Sequence, residues 1–304
     1  PLPLAPQTDA IFRSVKDNFI SPLIAAFKIE AINQDSTALV IKVNDIYDGT
    51  ETSINNVFTN INLGTSAIKN LSRILSIKSF PNNVVATSEL TTKVTEGTTS
   101  VYVTVEVSSS ILLLPEKPMT GRFDNQKVGY FTNPLLSFSD AQQGTDKKQY
   151  ITRWRMEPKP EDREAYLKGQ TVEPIKPIVF YIDNSTPYQW RSYIKKGIED
   201  WQTAFEKAGF KNAIIAKEIT DSMHVDMDDV NYSVLTYAAS EKKNAMGPSL
   251  LDPRSGEILE ADIMWWHNVL SMVREWITVQ TGTVCPEARS VQLPDSLMGD
   301  AIRF

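Results

Sequence analysis

A chain of 304 residues is long enough for two domains with cores of their own, and 41% hydrophobic with 22% charged residues is the ordinary balance of a globular protein. A formal net charge of −6 argues against the basic face of a nucleic-acid binder, and no apolar run reaches the roughly 18 residues needed to cross a bilayer. The single cysteine, Cys285, excludes an internal disulfide and reads as a small packed residue.

Residues 1–21 are a proline-bearing lead-in. Within it Ile11, Val15 and Phe19 recur at four-residue spacing and predict a short helix that Pro22 ends. Residues 27–32 and 38–43 alternate apolar and polar side chains, and Asn33-Gln34-Asp35-Ser36 between them suits a hairpin turn. The span 48–75 is less regular and is expected to contain helix, with Ile68, Leu71 and Leu75 on one face. Residues 74–80 and 84–87 flank Pro81-Asn82-Asn83 as a further strand–turn–strand signal. The strongest strand of the first half is 99–114, where Val101, Val103, Val105 and Val107 face one way and Thr104 and Glu106 the other. Residues 121–131 predict a second hairpin with Asp124-Asn125 at its tip, and 150–156 predict one more strand. Together these make 1–157 a β-rich unit without repeats.

The charged, proline-bearing stretch 158–176 reads as a connector. After it the pattern changes. Residues 177–183 form a continuous apolar run of buried-strand length, and Ser185-Thr186-Pro187 reads as a hydroxyl-capped helix start. Trp190, Ile194, Ile198, Trp201 and Phe205 follow at helical spacing as a buried face, and Gly209 stops the helix. Residues 213–219 and 233–239 are the next strands, which gives 177–304 an α/β order.

The stretch 245–268 carries the most specific wording. Asp252-Pro253-Arg254-Ser255-Gly256 is a turn: the Asp can bond backbone two residues on, Pro253 presets φ, and Gly256 tolerates a positive φ. Residues 246–251 and 258–264 can run antiparallel on either side of it as a surface hairpin, with Glu257, Glu260 and Asp262 on a solvated face. This turn, its alternating strand and Trp265-Trp266-His267-Asn268 resemble a segment of large bacterial zinc-dependent metalloproteases of the zincin type, with Ser255 where that family usually has Thr. Residues 122–131 and 150–158 are similar to the β-rich domain of unassigned role that precedes the catalytic part in those proteases.

The resemblance implies an α+β protein: a β-rich accessory domain over 1–157, a connector, and the first half of a zincin-like metallopeptidase domain over 177–304. It also implies that Ala245, Met246, Gly247, Pro248 and Ser249 form the edge strand along which a peptide or protein substrate lies. The activity implied is hydrolysis of peptide bonds by zinc-activated water. The zinc-binding His-Glu-x-x-His is not among these residues, which contain only His224 and His267. Residues 297–304 look like the start of the zinc helix. The chain is therefore expected to be cut from a longer protease, to hold no zinc, to be inactive alone, and to oligomerise through the face left open. The parent is expected outside the cytoplasm. The competing class is a non-enzymatic periplasmic or cell-surface binding protein.

Other candidates yield simpler readings. His224 to Asp229 lacks the Gly and distal Glu of a calcium loop and reads as a solvated acidic loop. His267 reads as a neutral, backbone-bonded histidine. Arg153 and Arg155 read as strand residues facing solvent or acidic neighbours. No phosphate loop, dinucleotide fingerprint or nucleophile elbow is present.

Overall fold

A computed structural model describes residues 2–20, 23–52, 56–61, 63, 66–220, 222–290 and 293–303. Pro1, the expected helix stop at Ser21-Pro22, and Phe304 lie outside these residues. The protein mixes α and β structure in several sheets. It divides into two compact units: Ala5–Leu114 with Ser139–Ala141, and Pro1–Leu4 with Pro115–Phe138 and Gln142–Phe304. The strands between 115 and 157 thus belong with the later α/β half, whereas the sequence pattern grouped them with the first.

The first unit is built on an antiparallel meander of β1 (Arg73–Ser79), β2 (Asn83–Glu96) and β3 (Thr99–Leu112). The anticipated strand at 84–87 continues to Glu96 because Leu90, Thr91 and Thr92 on it are buried. A two-residue loop with Gly97 at φ +61° then returns the chain, as tight hairpins require. Ile46, Tyr47 and Ala86 form a small core with Phe27, Val43 and Ile74 against it. The anticipated helix forms at Ile11–Asn18, and the hairpin at 29–41 pairs Ile29–Ile32 with Leu39–Ile41.

In the second unit β4 (Thr132–Ser137) pairs with β5 (Asp146–Ile151). The hairpin expected at 121–131 does not form. Its residues pair with β5 instead: the Asp124 and Ile151 N–H groups bond the Gln149 and Arg122 carbonyls, and Phe123 stacks on Tyr150. The strand expected at 150–156 is split, since Thr152 turns its N–H to the Phe131 carbonyl before β6 (Arg153–Trp154) begins in another sheet.

Residues 158–176, read as a connector, are folded down. Val172 is buried with Phe210 and Ala213, and backbone bridges join Pro158 to Pro174 and Val172 to Phe210. Next come β7 (Ile178–Ile182), α1 (Tyr188–Glu199), β8 (Ile214–Glu218) and β9 (Ser233–Ala238). Ile178, Phe180 and Ile182 pack on Ile194 and Ile198 in the largest core. Ser185 does not cap α1; its hydroxyl bonds Asp183 and the Tyr237 carbonyl.

The single helix expected to run to Gly209 is interrupted. Helix α1 stops at Glu199, its inward row being 190, 194 and 198, and a separate short helix spans Gln202–Lys207, where the Gln202 side chain ties down Phe210, Ala213 and Ile214. Trp201 lies between the two helices and is 66% exposed, not the core residue its spacing suggested. Past the hairpin, α2 (Val269–Thr281) and α3 (Asp295–Arg303) complete the unit. The terminal residues anticipated as an open stub are helical and packed: Ile302 is buried in the main core, and Arg303 holds Asp200 at 2.6 and 2.8 Å.

Candidate functional site

Five strands share one sheet. With β10 (Ala245–Met246) and β13 (Ile263–Trp266) added, the order is β8-β7-β9-β13-β10. The first four are parallel to one another, and β10 runs antiparallel to β13 at the edge. The chain then breaks at Gly247-Pro248 and enters a second, three-stranded sheet: β11 (Ser249–Asp252), β12 (Glu257–Ala261) and β6. The single hairpin expected from the sequence therefore serves two sheets.

All five residues anticipated along the edge, Ala245 to Ser249, are exposed. The Asp262 N–H bonds the Pro248 carbonyl at 3.0 Å, and the register Ala245–Trp265, Met246–Met264 continues that ladder. Backbone groups in an antiparallel ladder alternate, so Met246 and Pro248 face β13 while Ala245, Gly247 and Ser249 turn theirs to the open side. The Ala245 N–H is already taken by the Asn244 side chain at 2.8 Å. Gly247 and Ser249 are left as the outward-facing pair.

The turn behind this edge is not a surface feature. Asp252 and Ser255 are fully buried. The Asp252 carboxylate accepts from the Arg254 backbone N–H, Nε and Nη2 at 2.7–3.2 Å, and Arg254 Nη2 also donates to the Pro115 carbonyl at 2.6 Å. Arg254 beside it holds the Asp252 carboxyl below the usual range. Gly256 has φ +74°, and a Cβ there would stand 2.5 Å from the Ile151 carbonyl oxygen, so both conformation and space demand glycine.

Glu257 and Glu260, expected on a solvated face, are only 7% and 8% exposed. Arg155 bonds Glu257 at 2.8 Å, as its acidic-neighbour reading anticipated. Among the described residues no cation pairs with Glu260: one carboxyl oxygen is buried without a partner, and burial together with the neighbouring Asp262 pushes its pKa up to about 8. Asp262 meanwhile accepts the Val234 N–H at 2.8 Å. That β12 is a strand was legible; that β6 would pair beside it in the same sheet, and that Glu257 and Glu260 would both be buried, was not.

His267 bonds the Tyr237 hydroxyl through Nδ1 at 2.7 Å, and its backbone N–H donates to the Ala238 carbonyl. Among the described residues no three His, Cys, Asp or Glu side chains converge as metal ligands do. The donor set present does not fit a zinc ion. A concavity of about 1000 Å³ lies over the sheet, with Phe180, Leu235, Trp265, Trp276 and Ile302 among its walls.

The sequence profile of a family described as "Domain of unknown function (DUF5117)" matches residues 2–159. The chain belongs to the DUF5117 family. No curated protein and no solved structure matches it. The DUF5117 segment ends just past β6, so it contributes Arg153 and Arg155 to the hairpin's surroundings, while the edge strand and the buried turn lie beyond it. Among the described residues, no helix is long and apolar enough to cross a membrane.

Proposed function

We propose that this chain is the substrate-aligning part of a zinc-dependent metalloendopeptidase, in which the edge from Ala245 to Ser249 holds an extended peptide. The observation that carries this reading is the antiparallel, exposed edge strand on an otherwise parallel sheet. Gly247 and Ser249 offer N–H and C=O groups to an added strand, which gives main-chain affinity independent of peptide sequence. Gly247 lacks a side chain to obstruct the approach; a Cβ there would meet only the Asp262 carbonyl, at 3.8 Å. Behind the edge, the buried Asp252–Arg254 turn and the Arg155–Glu257 pair fix the second sheet from which Ser249 departs.

No step of peptide hydrolysis is assigned to these residues, because their donor set does not fit the metal. What they supply is orientation: an edge held rigid from behind presents a bound peptide with little ordering cost of its own.

The experiment is peptide binding to the whole chain by calorimetry, using an unstructured decapeptide. Binding should survive Met246→Ala, which leaves the backbone intact, and weaken at least tenfold in Gly247→Pro, which removes an outward N–H and no ladder bond. Equal affinity in both variants, or no binding to the parent chain, would end the proposal. Reading the gene past the codon for Phe304 tests the metallopeptidase half separately, by the presence or absence of His-Glu-x-x-His.

A further inference from the structure

The first unit carries an edge of a different kind. Strand β3 is 14 residues long and, among the described residues, pairs on one side only, with β2. The Leu113 N–H bonds the Asn82 carbonyl, which continues the β2–β3 register of Asn83 to Leu112. By the alternation of an antiparallel ladder, odd-numbered residues of β3 bond β2, while Ser100, Tyr102, Thr104, Glu106, Ser108 and Ser110 direct N–H and C=O outward.

Natural edges are blunted by lysine, proline or bulges. The opposite edge of this sheet follows that rule, with Arg73 and Lys78 on β1 and a register shift between Ile74 and Ser76. Strand β3 has none of these devices. It holds no proline and no basic residue, a single carboxylate at Glu106, and an unbroken register along all 14 residues. Val101 is 53% exposed and Tyr102 64%, while Val103, Val105 and Val107 are half-buried in a row on the other face of the strand from Tyr102.

We propose that β3 pairs antiparallel with β3 of a second copy of this chain about a twofold axis at Thr104. In this register Thr104 faces its own symmetry mate. Val101 then meets the second copy's Val107, Val103 meets its Val105, and Glu106 faces its Tyr102. All four valines of each strand find a valine opposite, at non-hydrogen-bonded positions where side chains approach most closely. Shifting the axis to Glu106 would set two carboxylates face to face, which disfavours that register. The occupant is a strand of the same composition because the edge offers unpaired backbone and β-branched side chains, with no charge pattern to select a different partner. The interface lies on the first unit and is separate from the peptide edge proposed above.

Light scattering after gel filtration of the whole chain, at tens of micromolar, is expected to give twice the 34.1 kDa chain mass. Glu106→Pro removes only an outward N–H, so it should return the mass to 34.1 kDa while the far-UV circular dichroism of the folded chain is kept. Thr104→Cys in a Cys285→Ser background fixes the register. Facing Cα atoms at about 5.5 Å suit a disulfide, so oxidation should cross-link the pair. A monomeric parent chain, or a dimer that persists in Glu106→Pro, overturns the proposal; a dimer without the Thr104→Cys cross-link overturns the stated register.

Discussion

Glu260→Gln is the most informative single change to the hairpin. Glu260 is buried on β12 next to Asp262, with one oxygen unpartnered and its pKa pushed up to about 8. Between the ordinary glutamate value and about 8, the native state keeps a proton that the unfolded chain releases. Native stability therefore falls as pH rises through that window and levels off above it. At about 1.4 kcal/mol per pH unit the upper limit of the loss is about 5 kcal/mol. Relaxation and water reaching the carboxylate reduce it, and about 2 kcal/mol is the expected size. Glutamine keeps an N–H donor for Asp262 and cannot ionise. Urea unfolding at pH 5 should find parent and variant within about 0.5 kcal/mol of each other. At pH 9 the variant should be the more stable by about 2 kcal/mol. Groups elsewhere titrate equally in both proteins and cancel in the difference. A parent-to-variant difference that is the same at pH 5 and pH 9 would refute the buried, unpaired assignment of Glu260.

Gly256→Ala combines a positive φ with a backbone clash at 2.5 Å, and a loss of about 3 kcal/mol is expected in chemical denaturation. A neutral result would mean the turn is not anchored on the Ile151 carbonyl. Arg155→Ala leaves Glu257 buried without its cation and should cost about 3 kcal/mol, much of it recovered in the double variant with Glu257→Gln; additive losses would deny the pairing. Trp190 packs on the main core and Trp201 is exposed, so alanine at 190 should destabilise by about 3 kcal/mol and at 201 by under about 1 kcal/mol. Similar losses at both positions would contradict the helix phase described for α1.

Local periodicity carried much of the fold. The valine alternation of β3 and the apolar run of β7 each depend on neighbours in sequence, and each formed as expected; the long helix did not, breaking after Glu199 before a second one ends ahead of Gly209. Partner choice was not legible. Phe123 and Tyr150 are far apart in the chain, yet their stacking and the backbone bonds of Arg122 and Asp124 to β5 hold 121–131 there rather than letting it close on itself. Glu257 and Glu260 were read as solvated from their charge, yet both are buried, with β6 paired alongside their strand from a distant part of the chain. Trp201 shows the limit of spacing arguments: its step from Ile198 fits a helix face, yet α1 ends at Glu199 and Trp201 falls between it and the helix that starts at Gln202. The edge position of Ala245 and Met246 came from a family resemblance, whereas the break at Gly247-Pro248 that shares the hairpin between two sheets had no signal beyond the proline itself.

The central claim is that the open side of β10 accepts an extended peptide. Amide hydrogen exchange of the whole chain, with and without a saturating decapeptide, tests it at the residues concerned. The Gly247 and Ser249 amides, which face the open edge, should exchange at least tenfold more slowly with peptide bound, while Met246, already in the ladder with β13, should change little. Unchanged exchange at Gly247 and Ser249, with peptide bound elsewhere or not at all, would contradict the account.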